Sequence, residues 1–66
     1  MELTAKQRVE EELKELKVKF KKLGDFLDSE KFDNIKGVNR ALLHMQYYTM
    51  ANYIAILRTR LEHWVD

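Results

Sequence analysis

Two stretches of the chain repeat apolar residues at alternating spacings of four and three, and this pattern constrains the fold more than any other feature. The first series is Val9, Leu13, Leu16, Phe20, Leu23 and Leu27. The second series is Leu43, Tyr47, Met50, Ile54, Leu57, Leu61 and Trp64. Such spacings align side chains along one side of an α-helix. The sequence therefore predicts an all-α fold, an antiparallel two-helix hairpin with helices at about 4–28 and 38–65.

The predicted helices begin at recognisable capping residues. Thr4 and Gln7 match a capping box, in which the hydroxyl of the first residue accepts a hydrogen bond from the backbone of the second and the Gln side chain reaches back. Either Gly37 or Asn39 opens the second helix. Both signals agree with the ends of the apolar series.

The segment 28–37 interrupts the apolar pattern and predicts the turn of the hairpin. We expect Ser29 to cap a short turn that places Phe32 and Ile35 over the end of the two helices. With 66 residues, the chain is long enough for one domain, which we assign to residues 1–66.

Composition excludes several classes of function. Twelve basic and eleven acidic residues give a net charge of +1, which is too balanced for DNA or RNA binding. The chain has no cysteine, so disulfides and thiolate metal sites are excluded, and a reducing cytoplasm fits. The N-terminal residues contain acids and no apolar core, so we expect no signal peptide. The uncharged segment 41–57 is shorter than the roughly 20 apolar residues that span a bilayer, so we expect no membrane insertion.

That uncharged segment also predicts self-association. It is apolar over most of the helix circumference, which is typical of a buried helix, and a two-helix hairpin cannot bury it. Chains this short usually need additional stabilisation, and oligomerisation is the means that remains here. We therefore expect a homo-oligomeric helical bundle. The predicted interface residues are Leu42, Met45, Tyr48, Ala51, Ala55 and Ile56.

No residue pattern indicates catalysis, a metal site or a cofactor. Ser29 lies in the turn without a nearby histidine, and capping explains it. His44 and His63 face different sides of one helix, so they do not form a metal-binding pair with i, i+4 spacing. A mixed site of His63 with Glu62 is a weaker option. We expect that the protein is not an enzyme.

Positive charge near tyrosine indicates an anion site or an ordinary ion pair. In an antiparallel hairpin, Arg60 comes close to Arg8 and Glu12. One interpretation is an Arg8–Glu12 ion pair at i, i+4. The other is an anion site, because guanidinium groups bind phosphate and a tyrosine such as Tyr53 can stack on a base. Lys19, within the lysine-rich segment 17–22, allows the same two interpretations.

The pattern of residues across 7–61 resembles a family of very small bacteriophage proteins, helical hairpins common in crAss-like and other tailed phages. The residues that carry the resemblance are Arg8, Val9, Glu12, Lys19, Leu23, Phe26, Ser29, Phe32, Leu42, Leu43, Gln46, Met50, Tyr53, Leu57 and Arg60. The family is similar in build to the anti-CBASS and anti-Thoeris sponges. Those proteins assemble into homo-oligomers and sequester cyclic nucleotide signals without cleaving them.

The resemblance implies a phage anti-defence protein acting in the cytoplasm of the infected bacterial host. Its ligand would be a cyclic oligonucleotide or a cyclic ADP-ribose type of messenger. Arg8, Lys19 and Arg60 would bind phosphate, Tyr53 and Tyr47 would stack on a base, and Gln46 would contact a base edge or ribose. The alternative is a homo-oligomeric helical scaffold that binds a host or phage protein, with Arg8, Glu12 and Arg60 forming ion pairs between protomers.

Overall fold

The computed structural model describes residues 2–65. It contains three helices, α1 (Ala5–Leu27), α2 (Glu30–Asp33) and α3 (Val38–Glu62), and no strand within that range. The two long helices pack against each other. The predicted all-α fold with two long helices is confirmed. The predicted domain of residues 1–66 also includes Met1 and Asp66, which lie outside the described residues.

Two details of the predicted hairpin are wrong. The turn contains the separate four-residue helix α2, since Ser29 begins a new helical turn after α1 has ended. The second long helix ends at Glu62 rather than near residue 65, because the backbone of His63 leaves helical geometry and its N–H bonds to the carbonyls of Thr59 and Leu61.

The helix starts follow the capping signals. The backbone N–H of Gln7 donates to the Thr4 hydroxyl at 3.1 Å, and the Thr4 N–H donates to the Gln7 side chain at 2.9 Å. This confirms the capping box. Gly37, with φ at 71°, is the residue before α3, so Gly37 rather than Asn39 opens the helix. A positive φ is the conformation in which glycine is least strained.

Both apolar series lie along the contact between α1 and α3, as predicted. Val9, Leu13, Ile54 and Leu57 form the buried core near the open end of the hairpin. The other members of the two series are partly buried. The core is therefore narrow, and its most enclosed side chain, Leu57, is fully buried.

Phe32 fills the turn end of the hairpin and is 3% exposed. The rings of Phe26 and His44 contact it edge-on, with centroid distances of 6.0 Å and 5.2 Å. The guanidinium of Arg40 lies over its face at 4.2 Å and donates to the carbonyls of Phe32 and Ile35 at 3.2 Å and 3.3 Å. The predicted placement of Phe32 is confirmed. Arg40 holds the turn in place through its contact with the Phe32 ring and its two hydrogen bonds.

Ser29 occupies the predicted position before α2 but bonds differently. Its hydroxyl donates to the carbonyl of Phe26 at 2.6 Å and makes no capping hydrogen bond to α2. The side chain therefore closes the last turn of α1. The prediction that Ser29 caps the following turn is right in position and wrong in its hydrogen bond.

Candidate functional site

Tyr53 on α3 and Glu12 on α1 form a polar contact between the two long helices. The Tyr53 hydroxyl donates a hydrogen bond to the Glu12 carboxylate. This bond raises the pKa of Tyr53 above its ordinary value, because an ionised phenol has no proton to donate; desolvation and the negative charge of Glu12 act in the same direction. The positive charge of Arg60 acts against them and lowers it. Tyr53, Glu12 and Arg60 thus share one electrostatic neighbourhood.

Three of the predicted ligand-binding residues form one stripe on α3. Gln46, Tyr53 and Arg60 are spaced seven residues apart, so they point to the same side of the helix, two turns from one to the next. All three are exposed. The stripe runs beside the buried series of α3 and spans about 21 Å at 1.5 Å per residue.

A matching stripe lies on α1. Arg8, Glu12 and Lys19 follow helical spacings of four and seven and are also exposed. The Tyr53–Glu12 bond places this stripe beside that of α3. In the antiparallel register that this bond sets, Lys19 is level with Gln46, since each lies seven residues closer to the turn. We call the six residues of the two stripes the Tyr53 edge: Arg8, Glu12, Lys19, Gln46, Tyr53 and Arg60.

Glu12 is the residue of this edge whose contact the sequence did not indicate. At i, i+4 from Arg8, it suggested an ion pair, but the one ion pair among residues 2–65 joins Lys21 and Asp25, with a nitrogen–oxygen distance of 3.0 Å. Of the two interpretations of the sequence, the Arg8–Glu12 ion pair within the protomer is thus not formed among residues 2–65. The register of the hairpin could have indicated the Glu12–Tyr53 contact. An antiparallel hairpin with a ten-residue turn brings residue 12 level with residues near 53.

Tyr47 does not belong to the Tyr53 edge. Its ring stacks on Phe20, with centroids 4.4 Å apart and planes 2° from parallel. Its outer edge lies near the backbone of Gly24. One ring face is thus used in packing between the helices, and the rest lines a shallow cleft of about 210 Å³. That cleft is lined by Gly24, Leu27, Asp28, His44, Tyr47 and Tyr48.

None of the three main depressions on the described protomer gathers the six predicted ligand-binding residues. Lys19 lines a groove on the outer surface of α1, beside Val18 and Lys22. Arg60 lines an open apolar depression with Ile56 and Thr59. The surfaces are separate and shallow. A ligand that contacts Lys19, Tyr53 and Arg60 together would need a second wall, which a single hairpin does not supply.

The predicted interface residues lie on the surface of the hairpin. Leu42, Met45, Tyr48 and Ile56 are 51%, 61%, 65% and 55% exposed. Ala55 is also exposed, and Ala51 is half-buried. The side of α3 away from α1 thus presents large apolar side chains to solvent.

Among residues 2–65 there is no group of three or more histidine, aspartate and glutamate side chains placed to hold a metal ion. None of the helices formed by the described residues is both long enough and apolar enough to cross a membrane.

Comparison with known proteins identifies a family. A family model described as Sequestin matches residues 3–63, which is nearly the whole chain. No curated protein matches. No solved structure matches.

Proposed function

Because the chain belongs to the Sequestin family, whose name indicates sequestration, we propose that it is a phage anti-defence sponge that binds a nucleotide-derived immune messenger without cleaving it. The messenger would be a cyclic oligonucleotide or a cyclic ADP-ribose type of molecule. The protein would act as a homo-oligomer in the cytoplasm of the infected bacterial host, where such messengers are made.

The Tyr53 edge is the observation that supports this function. It combines three cations, Arg8, Lys19 and Arg60, with the amide of Gln46 and the ring of Tyr53. Guanidinium groups bind phosphate through paired hydrogen bonds, and a tyrosine ring stacks on a base of any sequence. The amide can donate to and accept from a base edge or a ribose hydroxyl. These are the groups that a phosphorylated nucleotide requires.

The shallow surfaces of the protomer support an oligomeric site. Ligand pockets bury most of the surface of a small molecule, and the depressions on this hairpin are open. A second protomer laid along α3 would supply the missing wall. Tyr47 would take part from its cleft only if the partner reached that side, so its role depends on the assembly.

Direct binding tests the proposal. Native mass spectrometry of the purified protein, alone and with cyclic dinucleotides, cyclic trinucleotides and cyclic ADP-ribose isomers, reports subunit number and bound mass together. We expect an oligomer that gains one class of nucleotide and releases it unchanged on heating. A released product of altered mass would show turnover and contradict the sponge.

Arg60→Ala tests the site, with Arg58→Ala as the matched control. Losing a charge-assisted hydrogen bond to phosphate costs about 1.5–3 kcal/mol, so we expect Arg60→Ala to weaken binding about ten- to hundred-fold. Arg58→Ala removes the same charge from the other side of α3, outside the Tyr53 edge, and should change affinity by less than about two-fold. Equal affinities of Arg60→Ala and the parent would remove Arg60 from the site.

The exposed apolar side of α3 favours one second candidate, a helical scaffold that binds a host or phage protein. Large exposed apolar patches are typical of protein interfaces. An oligomer indifferent to the whole nucleotide panel, together with one protein recovered in stoichiometric yield from infected cells, would favour this scaffold over the sponge.

A further inference from the structure

The side of α3 opposite the hairpin contact has its own helical repeat, which is apolar at both ends and polar at its centre. Leu42, Met45, Thr49, Asn52 and Ile56 follow spacings of three and four and are all exposed. We call these five residues, with the adjacent Tyr48, the α3 outer face. A stripe with this spacing is the kind that packs against another helix. No helix formed by residues 2–65 of the same protomer lies against it, since α1 packs on the opposite side.

The protein exposes more surface than a compact monomer of its mass, and the excess is similar to the area that an interface buries. The chain exposes 5561 Å² and has a mass of 8.0 kDa. A compact monomer of this mass exposes about 4,450 Å², so the hairpin exposes about 1,100 Å² more than expected. A standard interface buries about 800 Å² per partner. The excess is therefore large enough for one stable helix-to-helix interface.

The composition of the α3 outer face favours a second copy as the occupant. The whole segment 41–57 carries no charge, so the face offers no electrostatic basis for choosing an unlike partner. Thr49 and Asn52 lie at its centre, with apolar residues on either side. Polar residues at the middle of an apolar seam set register between like helices.

Charge and helix dipoles favour an antiparallel arrangement. In a parallel pair, Arg60 would face its own copy beside the interface, and the two helix dipoles would repel. In an antiparallel pair centred on Thr49, Leu42 lies opposite Ile56 of the partner subunit, and Glu62 lies near the loop that carries the partner's Lys36. Arg58 is level with the partner's Arg40, but both lie nine residues from Thr49 and so point away from the α3 outer face.

We propose that the α3 outer face binds the same face of a second copy, antiparallel, about a two-fold axis at Thr49. The axis is perpendicular to both helices, so the Tyr53 edges of the two protomers lie on the same side of the interface. Gln46 and Tyr53 are three and four residues from the axis, and both copies of each lie within about 12 Å along the interface. The pairing thus gives a nucleotide site two sets of these groups. This last step rests on the proposed function, whereas the pairing does not.

Single-cysteine variants test the register, because the natural chain has no cysteine. Thr49→Cys lies on the axis, so we expect mild oxidation to give a disulfide-linked dimer in high yield. Thr59→Cys is the matched control on the same side of α3. Ten residues from the axis, its two copies would be about 30 Å apart, far beyond the roughly 7 Å Cα separation that a disulfide tolerates. A mixture of Leu42→Cys and Ile56→Cys should give the mixed dimer.

Each outcome decides the proposal. Efficient cross-linking of Thr49→Cys and of the mixed pair, without Thr59→Cys, supports the antiparallel two-fold. Cross-linking of both single variants would indicate a parallel pair and overturn it. If neither Thr49→Cys nor Thr59→Cys cross-links and the protein in solution has the 8.0 kDa mass of one chain, the α3 outer face is not an interface.

A charge substitution checks that the α3 outer face is responsible. We expect Met45→Lys to convert the oligomer to a monomer by light scattering. Val18→Lys is the matched control, since Val18 is a comparably exposed apolar residue, 51%, on the outer surface of α1. An oligomer that survives Met45→Lys would contradict the proposal. All these experiments are made without nucleotide, so failure of the sponge function would leave their results unchanged, and their failure would leave the nucleotide titration interpretable.

Discussion

Tyr47, Tyr48 and Tyr53 have three different surroundings within seven residues of chain. Tyr47 stacks on Phe20 between the helices. Tyr48 is exposed and contacts the ring of Tyr47 edge-on. Tyr53 donates its hydroxyl proton to Glu12. At the residue scale, Tyr47 therefore packs between the helices, Tyr48 lies on the surface, and Tyr53 joins the two helices through the Glu12 carboxylate.

The ionisation of Tyr53 should depend on Glu12. Because the folded-state pKa is raised above the ordinary value of about 10, this bond stabilises the fold below pH 10, and the contribution is lost as the pH rises through the folded-state pKa. We expect the Tyr53 Cζ resonance to titrate at lower pH in Glu12→Gln than in the parent. Tyr48→Phe serves as the control. An unchanged titration in Glu12→Gln would contradict the hydrogen bond.

Arg40 should stabilise the turn. Arg40→Ala loses two hydrogen bonds to carbonyl groups and the contact with the Phe32 ring. Because the guanidinium is partly in water, we expect the free energy of unfolding in urea to fall by about 1–2 kcal/mol. Arg58→Ala should change it by less than about 0.5 kcal/mol. Equal effects of the two substitutions would show that Arg40 acts only through its charge.

At the element scale, the two glycines have opposite roles. Gly24 lies within α1, and a Cβ there would meet the Tyr47 ring at 3.6 Å, an ordinary van der Waals contact. Gly37 has φ at 71° and precedes α3. Gly24 lowers the helix propensity of α1, whereas Gly37 adopts a positive φ that residues with a side chain disfavour.

Alanine substitutions should therefore shift stability in opposite directions. We expect Gly24→Ala to raise the free energy of unfolding by about 0.5–1 kcal/mol, through helix propensity. Gly37→Ala should lower it by about 1–2 kcal/mol, because a side chain disfavours positive φ. Urea titrations of both variants at one protein concentration make the comparison. A loss of stability in Gly24→Ala would mean that Tyr47 cannot accommodate the methyl group.

The elements that local rules control were predictable from sequence. The apolar spacings indicated both long helices, and Thr4 and Gln7 indicated the start of the first. The helix α2 was missed because four residues are too few to show a period. The Glu12–Tyr53 contact was missed because these residues are 41 apart in the chain and meet only through the register between the two helices, which spacing within one helix does not determine. The same limit applied to Arg40, whose partners lie across the turn.

At the scale of the whole molecule, the hairpin is elongated, with extents of 47 × 22 × 16 Å. A rod of this shape has a core only one side chain deep. Among residues 2–65, four are buried between α1 and α3, with Phe32 buried at the turn. Small domains with such cores are only marginally stable alone. Much of the stability of the protein should therefore come from association.

Thermal stability should depend on protein concentration. For a dimer that unfolds to separate chains, a hundred-fold increase in concentration should raise the Tm by roughly 10 °C, given about 0.7 kcal/mol of unfolding enthalpy per residue. We expect this dependence in circular dichroism melts of the parent and of Val18→Lys. Met45→Lys should melt at a lower temperature that does not vary with concentration. A constant Tm in the parent would show that the folded unit is one chain.

The Phe32–Arg40 cluster also has a consequence for the time course of folding. It joins the ends of α1 and α3 across about ten residues of chain, and a loop of that length closes in roughly 10–100 ns. From there the two helices can pair outward from the turn, adding contacts in sequence order, and low contact order of this kind gives folding in microseconds to milliseconds. Each protomer should thus form its hairpin quickly, although much of its stability is gained only when it associates. The rate at which assembled protein accumulates would then be set by synthesis and encounter, not by folding.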